Sequence, residues 1–426
     1  MRQISADQIS NHKTSRKVRS VFIAGIGNVL EWFDFTVYGF LATVMARNFF
    51  PATDELTGLL ISFATFGVGF VARPVGAVVF GWFGDIRGRR SVLLLSMLMM
   101  AVGSLLIGAA PTYQTVGIAA PILIVIARLI QGLSAGGEFG SAAAFLIEWA
   151  PEGRRGIYGS LHQIGTAGGL LLGSLLLTVL SATLTAEALD SWAWRIPFLL
   201  GAGLGLFALC VRRNVEETPF FTKLRVSETT DKEVLVPLLK TIGVVILWTV
   251  SVFSTIVYMP TFTQKFAHLT RGEASLATTI ALFVTVASLP LAGHLSDKIG
   301  RKPILLIASV AFALLTVPFF RLILGGATFL QIVLIQAVFA FFSACAAGPG
   351  PAAIAELFTT RRRSTLVSIG AAIAVVIFGG FAPFIATLLV EKLSSPIAPA
   401  YYVVVCAIVT GLTVLTLKET AKINLK

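Results

Sequence analysis

A ten-residue motif occurs twice in this chain, once in each half. GWFGDIRGRR covers residues 81–90, and GHLSDKIGRK covers residues 293–302. The aspartates of the two copies, Asp85 and Asp297, are 212 positions apart, and half of the 426-residue chain is 213. This spacing indicates an internal duplication, so the chain must fold as two related halves.

A second pair of charged residues repeats at nearly the same interval. Glu148 precedes Arg155 by seven positions, and Glu356 precedes Arg363 by seven positions. Two charged signatures in the same order in both halves strengthen the interpretation of a duplicated chain.

The composition predicts that both halves lie in a membrane. Hydrophobic residues make up 56% of the chain and charged residues 13%, and the mean hydropathy is +0.87. Soluble domains have roughly 25% charged residues. A helix needs about 20 apolar residues to cross a bilayer. Six such spans occur in each half, at 21–46, 58–83, 91–110, 118–148, 157–180 and 192–211, then 241–266, 274–296, 302–322, 328–357, 364–390 and 398–418.

These spans predict an all-α membrane protein with 12 transmembrane helices in two pseudo-symmetric six-helix bundles. The expected domains are an N-terminal tail (1–20), a first bundle (21–211), a linker (212–240), a second bundle (241–418) and a C-terminal tail (419–426). The tail at 1–20 lacks the apolar core of a secretory signal, so we expect span 1 to stay in the mature protein.

The net charge of +12 reflects membrane orientation better than nucleic-acid binding. Of the 33 Lys and Arg residues, 25 lie in the two tails, in the linker or in the loops after spans 2, 4, 8 and 10. The opposite loops hold only Arg47, Lys265, Arg271 and Lys392. Basic loops stay in the cytoplasm during insertion, which predicts a multi-pass protein of the bacterial inner membrane with both termini inside.

Span 1 contains two carboxylates in its apolar stretch. Glu31 and Asp34 are three positions apart and share a helix face with Asn28 and Tyr38. A carboxylate at this depth costs at least about 2.5–3.5 kcal/mol, so it should face a cavity or a cation. Two acids one turn apart repel each other when both are charged, which favours proton binding by one of them. Either proton coupling or a static ion-pair network explains the pair.

Span 4 supplies a cation at a similar depth. Arg128, Gln131 and Glu138 lie on one helix face. The Arg128 guanidinium can bind a substrate carboxylate through two hydrogen bonds, or it can neutralise a span 1 acid. Glu138 is a second candidate proton site, or an ion-pair partner of Arg73 in span 2.

The remaining substrate-binding candidates are uncharged at neutral pH or nearly so. His162 and Gln163 lie near the cytoplasmic end of span 5, and the second half supplies Tyr258 and Gln336. Spans 7, 8, 10 and 11 have almost no charge in their central portions. We therefore expect the first half to contain the charged groups and the proton site, and the second half to determine the shape of the binding site.

The repeated loops predict a charge lock on the cytoplasmic face. Its expected members are Asp85, Arg89, Arg90, Glu148, Arg155, Asp297, Arg301, Lys302, Glu356 and Arg363. The alternative is a solvated loop that serves only membrane orientation. Phosphate-binding, metal-binding and nucleophile motifs are absent from the sequence, so neither an enzyme nor a metal site is expected. The three cysteines lie in or beside apolar spans without metal-like spacing.

Five further segments resemble motifs of a known protein family. They read GNVLEWFDFTVYGF (27–40), FVARPVGA (70–77), RLIQGLSAGGEFG (128–140), WRIPF (194–198) and EETPFF (216–221). With the duplicated loops, they resemble the major facilitator superfamily and, within it, the metabolite:proton symporter family. That family carries citrate, tricarballylate, 2-oxoglutarate, shikimate and proline/betaine. The resemblance implies the major facilitator fold, a small-molecule substrate and no cofactor except the proton as coupling ion.

We therefore expect a monomeric symporter that imports a small organic acid by alternating access: citrate, another tri- or dicarboxylate, or an oxo-acid. Its partners are the substrate and the lipid bilayer, not nucleic acid. The main alternative is a proline/betaine-type osmolyte carrier, because residues 398–422 resemble the last span of those carriers. Arg128 favours an anion, and the chain ends at Lys426 without the long coiled coil of many osmosensing members. A non-transporting membrane sensor is less favoured.

Overall fold

The computed structural model describes residues 27–52, 54–87, 89–137, 143, 146–148, 150–212, 232–359 and 363–421. Within these ranges, side chains are described except at 81, 82, 84–87, 89, 90, 93, 208, 211, 212, 232 and 233. The predicted N-terminal tail, most of the linker and all but three residues of the predicted C-terminal tail lie outside the described residues, so the predicted domain division stays a prediction.

All regular structure in the described ranges is helical. The main helices are Gly27–Phe40, Ala42–Phe49, Glu55–Arg87, Arg89–Gly108, Ala119–Ser134, Arg155–Thr183, Arg195–Arg212, Lys232–Val252, Met259–Phe266, Arg271–Ile299, Arg301–Leu324, Phe329–Ala347, Gly350–Ala355, Arg363–Ala374, Ala382–Leu393 and Ala398–Leu415. In the described part of the chain, eight helices are long and apolar enough to cross a membrane, and one bent pair and three shorter apolar helices accompany them. These helices occur at all twelve predicted spans, in order.

Helix ends differ from the predicted span ends where a polar cap begins the helix. Span 8 begins at Arg271 rather than at 274, because Thr270 and Glu273 form a reciprocal capping box. Thr328 and Gln331 cap span 10 in the same way. The apolar pattern alone does not include the polar first turn of span 8, whereas the predicted span 10 already begins at residue 328.

Spans 1, 7 and 11 are among the predicted spans that are not regular helices throughout. Span 1 bends by 64° between Phe40 and Ala42, and π-helical turns interrupt span 7 at Phe253–Val257 and span 11 at Val375–Gly380. The interruptions meet helices of the other half: a side chain added at Gly39 would contact Val257, and one at Gly380 would contact Phe70. Such bulges are frequent at functional sites.

The two halves meet along two helix pairs. Span 5 packs along span 8, and span 2 packs against span 11. Near one end of the first pair, Gly156 and Gly293 allow the two backbones to touch, since a Cβ on Gly156 would lie 2.4 Å from the Gly293 carbonyl oxygen. Towards the other end, the Ser174 and Thr279 hydroxyls are 2.7 Å apart. This seam is therefore closed near both membrane faces.

Candidate functional site

A cavity of about 80 Å³ lies between the two halves. Its wall comes from spans 1, 2, 4 and 5 of the first half and spans 7, 8, 10 and 11 of the second. The aromatic lining residues are Trp32, Trp248 and Phe253, and Arg73 is the one charged residue among the described lining residues. One water-sized sphere needs roughly 10–15 Å³ on this scale, so the space suits a small solute.

Arg73 reaches the cavity from span 2. Its Nη2 lies 3.0 Å from Glu31 Oε1 in a largely buried ion pair, and its Nε has no hydrogen-bond partner in the described part of the chain. The guanidinium carbon lies 5.1, 4.4 and 4.7 Å from the ring centres of Trp32, Phe35 and Phe70. This aromatic cage holds the cation in place beside the cavity.

Two hydroxyl-bearing residues of the second half line the same cavity. Thr249 Oγ1 in span 7 and Ser343 Oγ in span 10 are buried and have no hydrogen-bond partner among the described residues. Helical Ser and Thr usually bond to the carbonyl one turn earlier, as Thr255 does to Ser251 at 2.6 Å. Sequence reasoning missed both hydroxyls, because nothing in the local sequence separates them from the many Ser and Thr residues that bond to their own helix.

Arg128 lies fully buried inside the first half and is not a lining residue of the cavity. Its Nη1 donates to Gln131 Oε1 at 2.9 Å, and its Nη2 donates to the Phe66 carbonyl at 3.4 Å. The rings of Phe35 and Tyr38 flank the guanidinium at 4.7 and 4.8 Å. Arg128 therefore occupies a polar network within the bundle rather than the wall of the central cavity.

That network continues from Arg128 to span 3. Gln131 Nε2 donates to Ser104 Oγ at 2.9 Å, and Ser104 lies near Asp34 of span 1. Polar side chains of spans 1, 3 and 4 thus lie together inside the first half. The sequence placed Arg128 and Glu31 at similar depths, but it gave no signal for Ser104.

The other first-half candidates join span 1 to span 5. Asn28 Nδ2 donates to the His162 carbonyl at 3.1 Å and to Thr166 Oγ1 at 3.3 Å. His162 Nδ1 lies 3.1 Å from Gln163 Oε1. Of Asn28, His162 and Gln163, only Gln163 lines the central cavity.

The two second-half candidates lie away from the cavity wall. The Tyr258 ring packs against Phe63 at 5.9 Å, and Gln336 Oε1 accepts from Thr278 Oγ1 at 3.3 Å. Both side chains are buried within the helix packing. Glu138 lies outside the described residues, and in this structure the ion-pair partner of Arg73 is Glu31.

Charged residues from both halves meet on the face that carries the basic loops, which we call the basic face. Asp297 accepts from the backbone N–H groups of Gly156 and Ile157 at 2.8 and 3.0 Å, so it caps span 5. Arg301 Nη1 donates to Asp297 at 2.7 Å, and Arg301 Nη2 lies 3.4 Å from Glu356.

Two further ion pairs cross between the halves on the basic face. Arg155 lies 3.6 Å from Glu356, and Arg363 lies 2.9 Å from Glu148. The side chains of Asp85, Arg89 and Arg90 lie outside the described residues. The described members of the predicted charge lock thus lie together around the end of the seam between spans 5 and 8.

The residues after span 12 join this cluster. Glu419 accepts from the backbone N–H groups of Arg301 and Lys302 at 2.9 and 3.0 Å, and Thr420 Oγ1 donates to Glu356. Lys302 Nζ, predicted as part of the charge lock, donates instead to the Leu415 carbonyl at 2.7 Å. The segment therefore caps span 9 and contacts the ion pairs between the halves.

A second set of ion pairs closes the face opposite to the basic face. Asp190 accepts from Arg47 at 3.0 Å and from Arg271 of the other half at 2.8 Å. Glu55 lies 3.6 Å from both Arg47 and Lys265. Sequence reasoning used these three cations only to assign orientation and missed the acids that pair with them across the halves.

Comparison with known protein families decides the fold class. Residues 20–241 match the model of the sugar (and other) transporter family, and residues 247–424 match the model of the major facilitator superfamily. The chain belongs to the major facilitator superfamily. This membership, with helices at all twelve predicted spans, confirms the predicted fold class and the predicted absence of an enzyme activity.

The names of several curated relatives of this chain describe carriers of small zwitterions. The glycine betaine/proline/ectoine/pipecolic acid transporter OusA of Dickeya dadantii is 34% identical, over 100% of this chain and 88% of OusA. The proline/betaine transporter of Escherichia coli K12 is 34% identical over 96% of this chain and 85% of its own length. These relatives confirm the resemblance to the metabolite:proton symporter family, which includes proline/betaine carriers.

Solved structures of this superfamily share the fold. The proton:xylose symporter XylE bound to 6-bromo-6-deoxy-D-glucose aligns with a TM-score of 0.79 at 16% identity, covering 96% of this chain and 97% of XylE. A partially occluded inward-open form of XylE from E. coli aligns with a TM-score of 0.73 at 17% identity, covering 94% and 97%. At this identity the likeness describes the architecture alone.

Proposed function

We propose that this member of the major facilitator superfamily is a proton-coupled carrier that imports a small zwitterion of the proline/betaine class. The central cavity carries the proposal, because it combines one guanidinium with aromatic rings and neutral hydroxyls. The names of the curated relatives support the same substrate class.

Each part of a zwitterion has a matching group in the cavity. Arg73 brings a guanidinium to the cavity wall, and that group can donate to the substrate carboxylate. Trp32, Trp248 and Phe253 offer ring faces to the ammonium end, and such rings favour quaternary ammonium groups. The hydroxyls of Thr249 and Ser343 can donate to a second carboxylate oxygen.

The same cavity disfavours the di- or tricarboxylate that the sequence led us to expect. That expectation rested on Arg128, which does not line the cavity. A tricarboxylate would bring up to three negative charges to one guanidinium that Glu31 already partly neutralises. Burying unpaired carboxylates is costly, so a molecule with one carboxylate and one cation fits better.

Alternating access requires that contacts on the two faces break in turn. We assign the basic face to the cytoplasm of a bacterial inner membrane, because basic loops remain inside during insertion. The clusters around Glu356 and Asp190 then act as the inner and outer closures of a monomer, and the chain divides within the linker at 212–240. The protein works without a metal or an organic cofactor.

Uptake by purified protein in liposomes tests the substrate class. With an inward proton gradient, labelled proline or glycine betaine should accumulate and labelled citrate should not. The Arg73→Lys variant keeps the charge but loses the planar fork and ring stacking, so its KM should rise about tenfold, or ~1.4 kcal/mol.

Arg321→Lys is the matched control, because Arg321 is an exposed residue of span 9 remote from the cavity. Its KM should equal that of the wild type. Acid-driven citrate uptake without proline or betaine uptake would overturn the zwitterion proposal and restore the organic-acid carrier.

A further inference from the structure

The internal duplication makes residues of the two halves equivalent, and some equivalent residues line the central cavity. Arg73 lies 12 positions before Asp85 of the first repeated motif, and Thr285 lies 12 positions before Asp297 of the second. Each residue belongs to one unbroken helix that continues to its motif, so the two positions correspond without an insertion. Arg73 and Thr285 are therefore equivalent, and both line the central cavity.

Other lining residues are related in the same way. Spans 1 and 7 repeat a Gly-x-Val-x-x-Trp pattern at 27–32 and 243–248, and spans 5 and 11 correspond through the repeated Glu–Arg spacing before them. The further equivalent pairs among the described lining residues are Trp32 with Trp248, Gln163 with Ala371 and Ala167 with Val375. The same exchange relates the two seams, because it turns the contact of span 5 with span 8 into that of span 11 with span 2. The cavity therefore lies between walls that a twofold exchange of the halves interchanges.

Of these four pairs, the one formed by Arg73 and Thr285 differs in charge. Thr285 is 4% exposed, and its Oγ1 donates to the Ala281 carbonyl of its own helix at 3.0 Å. The repeated tryptophan pattern matches Glu31, the ion-pair partner of Arg73, with the fully buried Leu247. The second half thus lacks both members of this ion pair, and its wall of the cavity carries no charge among the described lining residues.

The charge difference decides how a zwitterion can lie in the cavity. In the proposed function the substrate carboxylate binds Arg73. A twofold exchange places equivalent residues on opposing walls, so the other end of the substrate faces the wall of Thr285 and Trp248. The Trp248 ring packs against Gly350, where a Cβ would lie 3.1 Å from the ring, and this contact holds the ring in place as a face for an ammonium group. A second carboxylate at that wall would be buried without a cation, which is costly.

We propose that Thr285 is the residue that limits this carrier to substrates with one carboxylate. Its small neutral side chain leaves the wall of spans 7 and 8 uncharged, so the substrate lies across the cavity with its carboxylate at Arg73 and its ammonium end at that wall. The proposal rests on the proposed function and adds the orientation of the substrate and the position that selects it. A cation at position 285 would give the cavity two cationic walls, which suits a dicarboxylate instead.

Ligand binding to the purified, full-length protein tests the role of Thr285. Glycine betaine, proline and the dicarboxylates malonate, succinate and glutarate, which differ in length, are titrated by calorimetry at neutral pH. The wild type should bind glycine betaine and none of the dicarboxylates. Thr285→Arg should bind glycine betaine at least about tenfold more weakly, because the second cation repels the ammonium group. It should also gain affinity for at least one of the dicarboxylates through two guanidinium–carboxylate contacts.

Two variants separate the charge at position 285 from its size. Thr285→Met adds a similar volume without a charge, so it should gain no dicarboxylate affinity and should bind glycine betaine more tightly than Thr285→Arg does. The double variant Arg73→Thr/Thr285→Arg again has one arginine in the cavity wall, so it should lose the dicarboxylate affinity that Thr285→Arg gains. A merely structural role of Thr285 would not produce a gain of binding that depends on Arg73.

A cation added after folding covers the case in which Thr285→Arg does not fold. Thr285→Cys, in a chain whose Cys210, Cys345 and Cys406 are replaced by serine, is treated with a methanethiosulfonate reagent that attaches an aminoethyl group. The modified protein should gain dicarboxylate affinity. Protein that carries an uncharged propyl group at the same position should not.

The outcomes separate this proposal from the proposed function. If the wild type binds glycine betaine but neither Thr285→Arg nor the aminoethyl-modified protein gains a dicarboxylate, Thr285 does not select the substrate although the carrier function stands. The same conclusion follows if Thr285→Met gains dicarboxylate affinity or if the double variant keeps it. If the wild type binds neither glycine betaine nor proline, the proposed function itself fails, and binding of a dicarboxylate by the wild type would contradict both.

Discussion

At the residue scale, the acids of span 1 have different surroundings although they are three positions apart. Glu31 has a cationic partner in Arg73, whereas Asp34 forms no ion pair among the described residues and is affected by Arg128 only electrostatically. The helix face they share explains why both were candidates, but the neighbouring helices decide which acid pairs with which cation.

The position of Asp34 depends on a glycine of span 6. A Cβ on Gly201 would lie 2.0 Å from Asp34 Oδ1, whereas one on Gly203 would have no heavy atom within 4 Å. Gly201→Ala should therefore displace the Asp34 carboxylate, lower the thermal midpoint and reduce proton-driven uptake at least tenfold. Gly203→Ala on the same helix should match the wild type in both measurements, and equal behaviour of the two variants would contradict this role for Gly201.

At the element scale, span 9 begins with a cap from a distant part of the chain. Gly300 has a φ of 111°, and a Cβ there would lie 2.4 Å from Glu419 Oε2, so the tight approach of Glu419 to the start of span 9 requires glycine. Burial alone would raise the pKa of the Glu419 carboxyl. The surrounding backbone N–H groups of Ala421, Arg301, Lys302 and Thr420 outweigh burial and hold that pKa below its ordinary value of 4.5.

The lowered pKa predicts how this cap depends on pH. Because Glu419 binds its proton more weakly in the folded state, its contribution is complete above pH 4.5 and is lost as pH falls through the folded pKa. Glu419→Gln should lower the thermal midpoint at pH 7, and the difference from the wild type should shrink below about pH 4.

Glu152→Gln, an exposed acid on the basic face, is the control and should leave the midpoint unchanged at both pH values. A Glu419→Gln midpoint that equals the wild-type midpoint at pH 7 would show that the cap does not stabilise the closed basic face.

At the scale of the whole molecule, the two closures differ in burial. In the ion pairs that join the halves on the opposite face, Arg271–Asp190 and Lys265–Glu55, the side chains are 22–62% exposed. In those on the basic face, Arg155, Glu356 and Arg363 are 1–10% exposed, and only Glu148 reaches 36%. Exposed ion pairs contribute about 0–1 kcal/mol and are screened by salt, but breaking a buried pair costs about 3–5 kcal/mol. Raising the salt concentration should therefore weaken the ion pairs of the opposite face and leave those of the basic face unchanged.

This asymmetry predicts the side from which the cavity opens. A cysteine at Thr285, which lines the central cavity, should react faster with a membrane-impermeant thiol reagent from the opposite face when salt is raised from 50 to 500 mM. Cys210, Cys345 and Cys406 are first replaced by serine. Reaction from the basic face should be unaffected by salt and should increase in the Glu356→Gln variant. Salt-dependent labelling from the basic face instead would contradict the asymmetry.

The sequence by itself determined the duplicated twelve-span architecture and the membership of the superfamily. It did so because hydropathy and the repeated GxxxDxxGR[RK] loops are local properties of the sequence, which do not depend on how the helices pack. It also grouped Glu31 with Asp34 on one helix face and Arg128 with Gln131 on another, since helical periodicity decides which residues share a face.

Only the tertiary structure decided the contacts. The pairing of Glu31 with Arg73, the lining of the central cavity and the burial of Arg128 inside the first half all depend on residues from different spans. Such contacts depend on how helices rotate and bend against one another, as at the 64° break in span 1. A one-dimensional pattern does not contain those rotations, so the choice between Arg73 and Arg128 at the cavity wall could not be made from the sequence.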